Sequence, residues 1–215
     1  MREERDFKSY LSRRDTVLGK FISIADTVTV EANTQTTLFE ALVTAVIGQQ
    51  LSGKAASSIL SKLKFNLGVV GFITSEDLLK VPFETIRSSG VSGSKANTLL
   101  SIAQESISHT IPSMTEITSM KNEEITYALT KIKGIGTWTA EMILIFQLGR
   151  EDVMPSKDLG VQKGYSIIFG NKQLPTPKDI LKRSERWRPY RTMVAKYCWM
   201  AADKYPTYKK GRNET

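Results

Sequence analysis

The sequence predicts an all-α fold, one compact helical body in two lobes, and three observations predict it. Apolar residues recur at helical spacing in nearly every segment. Cap residues stand before those segments where a helix should begin. The connections are short, and the chain holds no repeat and no low-complexity linker. With 215 residues, 40% of them hydrophobic, the chain is long enough to bury a sizeable core.

Taken in order, the start "MREERDFKSYLSRRD" is charged throughout and lacks the apolar segment of a signal peptide. Residues 21–32, "FISIADTVTVEA", alternate as a strand would, the one stretch where helix and strand both remain open. Residues 38–50, "LFEALVTAVIGQQ", place Leu38, Leu42, Val46 and Ile47 on one helical face, and "SGKAASSILSKLKFNL" does the same with Ala56, Ile59, Leu60 and Leu63. Ser75 is the expected cap of "EDLLKV" and Asn122 that of "EEITYALTKI". Then "ALTKIKGIGTWTAEMIL" reads as helix, Gly-Ile-Gly turn, helix, with Met142 to Phe146 as a buried apolar run. Asp158 stands at the start of the helical segment "DLGVQKGYSIIF". Thr176-Pro177 is a cap with proline in the first turn, and is expected to open a long helix toward Met200.

Composition narrows the function. The chain carries a net +8, unevenly placed: residues 1–150 hold 16 Lys/Arg against 15 Asp/Glu, residues 151–215 hold 14 against 7. Such charge suits a polyanion, nucleic acid or a membrane surface, and equally a soluble protein with a basic tail. No stretch is long enough to span a membrane. One cysteine, Cys198, excludes an intramolecular disulfide and a four-cysteine cluster; one histidine, His109, argues against zinc. An intracellular location is expected.

The Gly134-Ile135-Gly136 turn has its own chemistry. Glycine permits left-handed dihedrals and places no side chain between backbone and an approaching group. The first amides of the following helix lack intrahelical partners and carry the positive end of its dipole. Such a turn holds a phosphate without reading sequence, although Gly-x-Gly between helices also serves as a plain sharp connection. On the residues alone Gln50 reads as a helix-end glutamine bonded locally, and Asp158 as a plain N-cap. The tryptophans read as core side chains, Trp187 above all. Asp152 is read as a loop or capping residue.

Three ordered stretches carry a resemblance: "FEALVTAVIGQQLSGKAA" (39–56), "LTKIKGIGTWTA" followed by "DVMPSKDLGVQKG", and "ERWRPYRTMVAKYCWMAAD" (185–203). Together they resemble the helix-hairpin-helix (HhH-GPD) DNA glycosylases, most closely the AlkA-like 3-methyladenine DNA glycosylase II branch. The resemblance runs from about residue 38 to 203, most of the chain. It implies a single glycosylase domain over residues 1–215, with hairpin and catalytic loop at 125–160 and the active-site cleft between two lobes. The short leader leaves no room for the N-terminal β domain of some members.

The resemblance also assigns roles. Asp158 becomes the catalytic carboxylate, Trp138 and Trp199 the base pocket, Gln50 with Leu51 the DNA wedge. Gly134, Gly136, Thr137, Ser52, Lys54, Ser94, Lys95 and Arg191, with Arg188, are expected on the DNA backbone. The carbonyls of Thr130, Ile132 and Ile135 are the expected seat of a monovalent cation, Na+ or K+. No further cofactor and no Fe–S cluster is implied. Lyase-competent relatives carry a lysine where this chain has Trp138, so the implied enzyme is a monofunctional hydrolase in base excision repair. It would act as a DNA-associated monomer on double-stranded DNA with alkylated bases, upstream of an AP endonuclease. Glycosylases for deaminated or oxidised bases, and a hairpin protein that binds DNA without catalysis, are the alternatives.

Overall fold

The computed structural model describes residues 2–206 and Tyr208, with side chains from Phe7 onward. The expected fold class holds: among the described residues there are thirteen α-helices, a π-helical stretch and a 3-10 turn, and no strand. None of these helices is long and apolar enough to cross a membrane. The chain divides into two compact units, residues 32–148 and residues 1–31 with 149–215.

The unit of residues 32–148 contains α3 (Leu38–Gly48), α4 (Gly53–Leu67), α5 (Ser75–Leu79), α6 (Phe83–Ser88), α7 (Gly93–Ile107), α8 (Met114–Ser119), α9 (Asn122–Thr130) and α10 (Thr137–Met142). Helix α7 packs on α3 and α5. Leu38, Leu42, Val46 and Ile47 are buried, as the helical spacing of α3 predicts, whereas on the expected face of α4 only Leu63 is buried and Ala56, Ile59 and Leu60 are half-buried. Most caps are side-chain oxygens on a backbone amide: Thr37 for α3, Ser52 for α4 and Ser92 for α7. Two caps fall one residue earlier than expected. Thr74, not Ser75, caps α5 in a reciprocal box with Asp77. Lys121 precedes α9, and the Glu124 carboxylate accepts its amide at 2.7 Å.

The Met142–Phe146 run is only partly a buried helix. After α10 the chain winds as a π-helix over Ile143–Gln147. Ile143, Leu144 and Ile145 are buried, whereas Phe146 is 48% exposed.

The other unit holds α1 (Arg2–Arg14), α2 (Thr16–Ile22), α11 (Leu159–Phe169), α12 (Pro177–Ser184) and α13 (Arg191–Lys204). Its core gathers Leu11, Leu18, Phe21, Val161, Ile168, Trp187, Val194 and Tyr197, so the reading of Trp187 as core is correct. The strand-like stretch 21–32 finishes α2, turns, and then continues without regular secondary structure. Its alternation has a packing cause: Val28 is buried in the core while Thr27 and Thr29 face out. The long helix expected from Thr176 to Met200 is broken. It stops at Ser184, makes a 3-10 turn at Glu185–Trp187, and resumes at Arg191. Pro189 between them has no amide to donate and disfavours helical geometry at Arg188.

Helices α11 and α13 pack backbone to backbone. A Cβ added at Gly164 would lie 1.7 Å from the Cys198 carbonyl oxygen, an atom that cannot rotate away. Gly164→Ala should therefore lower stability by about 1–3 kcal/mol or more, the cost of overpacking. Gly53→Ala, whose added methyl meets nothing within 4 Å, should melt at or above the wild-type temperature. Thermal melts of the two variants check the contrast.

Candidate active site

Asp158 sits at the N-cap of α11 and is half-buried. Its Oδ1 accepts the Val161 amide at 2.8 Å, as a cap does, and also the indole Nε1–H of Trp199 at 2.7 Å. The cap role and the functional role are thus not exclusive. Two donors converging on one oxygen fix the orientation of the carboxylate. Trp199 comes from α13, and it reaches Asp158 because α11 presents glycines to that helix. A Cβ at Gly160 would stand 2.8 Å from Trp199 Cδ1 and 3.0 Å from Asp158 Oδ1. Trp199, expected in the base pocket, is therefore first of all a partner of the carboxylate. Burial pushes the Cys198 thiol far up, and the Asp158 charge adds to the shift. That thiol stays protonated and is no nucleophile.

The loop before Asp158 is pinned. Asp152, read as a loop or capping residue, is the hub of an ion-pair network. Arg191 grips it at 2.6 Å from Nε and 3.1 Å from Nη2, and Arg188 reaches it at 2.6 Å. Glu185 joins both arginines, and its hydrogen bond from Arg188 holds its carboxyl below the usual range. Thr192 Oγ1 donates to the Arg150 carbonyl at 2.6 Å and accepts the Val153 amide at 3.0 Å. Gln162 donates to the Ser156 carbonyl. Arg191, expected on a phosphate, has its side chain only 12% exposed and is occupied by this loop.

The hairpin lies in the other unit, between α9 and α10. Gly134 has φ +90, and a Cβ there would fall 2.0 Å from Thr98 Oγ1, so glycine is required by fold and dihedral together. Gly136 differs: its φ is −98 and an added Cβ would meet nothing within 4 Å. No side chain caps the start of α10. Gly134, Gly136 and Thr137 are all exposed. The Ile132 carbonyl accepts the Ile135 amide at 3.0 Å, and an oxygen with two lone pairs keeps capacity for a cation. Neutral carbonyls at Thr130, Ile132 and Ile135 suit a hard monovalent ion.

Residues 49–52 connect α3 to α4. Gln50 is exposed and holds φ +57, a left-handed conformation uncommon for a residue with a Cβ. Leu51 beside it is 42% exposed. Gln49 donates to Thr139 Oγ1 at 3.0 Å. Ser52 is occupied in capping α4, while Lys54 and Ser94 are on the surface. Lys95 turns inward, its Nζ donating to the carbonyls of Ile47 and Gln49 at 2.8 and 2.7 Å.

Trp138 lines a cavity of about 410 Å³ within the same unit, with Met142 and Phe146 from successive turns and Glu40 and Thr44 from α3. Glu40 escaped notice in the sequence: it is buried, paired with Lys64 at 2.8 Å and accepting the Ile73 amide at 2.6 Å. The Gly160/Gly164 spacing, four residues apart on one helix face, was available as a signal for close helix packing.

A hairpin flanked by α9 and α10, a strained exposed loop and an anchored N-cap aspartate define a helix-hairpin-helix base-excision protein. The family profile described as HhH-GPD superfamily base excision DNA repair protein matches residues 43–189, and the chain belongs to this family. It is similar to DNA-3-methyladenine glycosylase 1 of Schizosaccharomyces pombe, 43% identical over 161 residues, which is 75% of this chain and 71% of that one. It is also similar to the alkylbase DNA glycosidase-like protein mag2 of the same yeast, 30% identical over 203 residues, 93% and 95% of the two chains. Among solved structures it superposes on S. pombe 3-methyladenine DNA glycosylase (Mag1) in complex with abasic DNA. The TM-score is 0.84 at 35% identity, covering 95% of this chain and 100% of that one.

The strain at Gln50 is open to a direct check. Gln50→Gly should melt no lower than the wild type, because glycine occupies the left-handed region without the Cβ clash. Gln50→Val should lose roughly 1–3 kcal/mol, since a β-branched residue at positive φ is a true outlier. Equal melting of the two variants would mean the loop relaxes out of this conformation.

Proposed function

We propose that the chain is a monofunctional DNA glycosylase of base excision repair, excising alkylated purines of the 3-methyladenine and 7-methylguanine type as one domain over residues 1–215. The observation that carries this reading is the Asp158 carboxylate, aimed by Trp199 and by its own helix, in a chain whose relatives are named as 3-methyladenine glycosylases.

A base inside a duplex is out of reach, so the nucleotide is flipped out. The amides around Gly136 and Thr137 take a phosphate, which positions the protein without reading sequence. Gln50, with Leu51, fills the gap in the stack. The flipped base, positively charged when alkylated, is attracted to the electron-rich face of Trp138. As the C1′–N bond breaks, its electron pair leaves with the base and positive charge grows on the sugar. The Asp158 carboxylate stabilises that charge and orients the attacking water. Water oxygen bonds to C1′, its proton is released, and free base and an abasic site result.

Trp138 has no amine, so water is the nucleophile and the strand stays intact. Thr130, Ile132 and Ile135 would hold Na+ or K+, adding positive potential under the bound phosphate. The abasic product is a substrate for an AP endonuclease. The protein acts as a monomer, in whichever compartment holds its DNA. Lys54 and Ser94, both exposed, would contact phosphate, and Arg191, paired with Asp152, would not.

Duplexes carrying single lesions, treated with mild alkali to reveal abasic sites, test this function. Release of methylated purines is the expected result. Release confined to uracil or 8-oxoguanine would move the enzyme to another specificity, and DNA binding with no release would make it a non-catalytic hairpin protein. Asp158→Asn keeps an Oδ1 acceptor for both donors and remains a good N-cap, so its melt should stay near wild type. Single-turnover excision by this variant should fall roughly a hundredfold or more. Excision within about tenfold of wild type would rule out the carboxylate as the stabilising group.

A further inference from the structure

Lys95 lies on the first turn of α7 but does not face outward as a phosphate contact would. Its ammonium donates to two of the last carbonyls of α3 and its C-cap, Ile47 and Gln49. Among the described residues no carboxylate lies within ion-pair distance of it. Desolvation holds its pKa below the usual lysine value, so the carbonyls and the negative end of the α3 dipole are what keep the cation there. The second carbonyl belongs to Gln49, the residue before the strained Gln50.

Gln49 is bound at both ends. Lys95 holds its backbone oxygen, and its side-chain amide donates to Thr139 Oγ1 at 3.0 Å and approaches the Gly134 carbonyl at 3.5 Å. Thr139 is buried on α10, directly behind the hairpin. Helix α7 meets the hairpin directly as well, because Thr98, one turn beyond Lys95, forms the wall that only a glycine at 134 can approach. The loop bearing Gln50, the Gly134–Gly136 hairpin and the start of α7 therefore form a closed triangle of hydrogen bonds and contact.

We propose that Lys95 and Gln49 are positioning residues that lock the wedge loop to the phosphate-binding hairpin, so that anchoring on the backbone and insertion of Gln50 happen as one movement. The proposal rests on the glycosylase reading above and adds to it a coupling between two DNA contacts. Binding energy gained at the hairpin is delivered to the wedge through Thr139 and Gln49. Lys95 keeps the loop from folding back when the duplex resists opening.

The test uses full-length protein and 7-methylguanine placed either in a paired duplex or in an unpaired bulge, where flipping costs least. Lys95→Met keeps the stem and removes the donors. Excision from the paired duplex should fall roughly tenfold to a hundredfold, the scale of a small misplacement in a preorganised site. The bulged substrate should lose less than about threefold, because little opening remains to be driven. Lys95→Arg should recover most of the loss. The slope of log affinity against log salt should stay unchanged.

Thr139→Val, which removes the acceptor of Gln49 at nearly equal volume, should show the same preference for the bulge, and it carries the test if Lys95→Met does not fold. Equal losses on both substrates would overturn the proposal. So would a salt slope lowered by about one unit, which would place Lys95 on a phosphate. A 2-aminopurine beside the lesion reports unstacking without chemistry. Wild-type protein that brightens it but releases no base would defeat the glycosylase reading and leave the coupling measurable through the fluorescence of the two variants.

Discussion

One hydrogen bond organises the unit of residues 1–31 and 149–215: the 2.7 Å contact from the Trp199 indole to Asp158 Oδ1. It joins α13 to the N-cap of α11, and it exists only because α11 turns Gly160 and Gly164 toward α13. A side chain at either position would push the indole or the α13 backbone away. The same oxygen caps α11 through the Val161 amide, so helix stability and carboxylate orientation are a single arrangement. A donor to a charged acceptor makes a stronger bond than a neutral pair and restricts the carboxylate more firmly. Preorganisation of this kind is what a charge stabiliser requires, since its work is to be in place before the charge develops.

The chain approaching Asp158 is held with comparable care. Asp152 with Arg188 and Arg191, and the Thr192 hydroxyl with the backbone of residues 150 and 153, fasten the loop to the start of α13. Gln162 fastens its far end. In the other unit the arrangement is the reverse at one point. Gln50 is left in a left-handed conformation, exposed, on a loop whose neighbours are tied down. Strain held in place by its surroundings is a usual feature of functional loops.

Features written within a few consecutive residues were legible in the sequence. The hairpin glycines, the Asp158 cap and the helical face of α3 each depend on local spacing, and the structure has them where the spacing puts them. What failed depended on partners far along the chain. Arg191 meets Asp152 from 39 residues away, and Lys95 meets its carbonyls from 46 and 48. A basic residue in a basic stretch reads as a phosphate contact until its acid is seen beside it. The break between α12 and α13 was written in Pro189, but the surrounding periodicity concealed it. Trp199 was placed by its motif without its bond to Asp158, because nothing in the spacing shows which way an indole N–H points.

The central claim is that Trp199 acts through Asp158, and a double-mutant cycle of single-turnover excision measures it most directly. Trp199→Phe keeps an aromatic ring and removes the N–H donor; it is compared with wild type, and again in an Asp158→Asn background. If the indole serves by aiming the carboxylate, its removal slows excision in the wild type and costs nothing further once the charge is gone. Full additivity of the two losses would contradict the account, and would make Trp199 a surface for the base that owes nothing to Asp158.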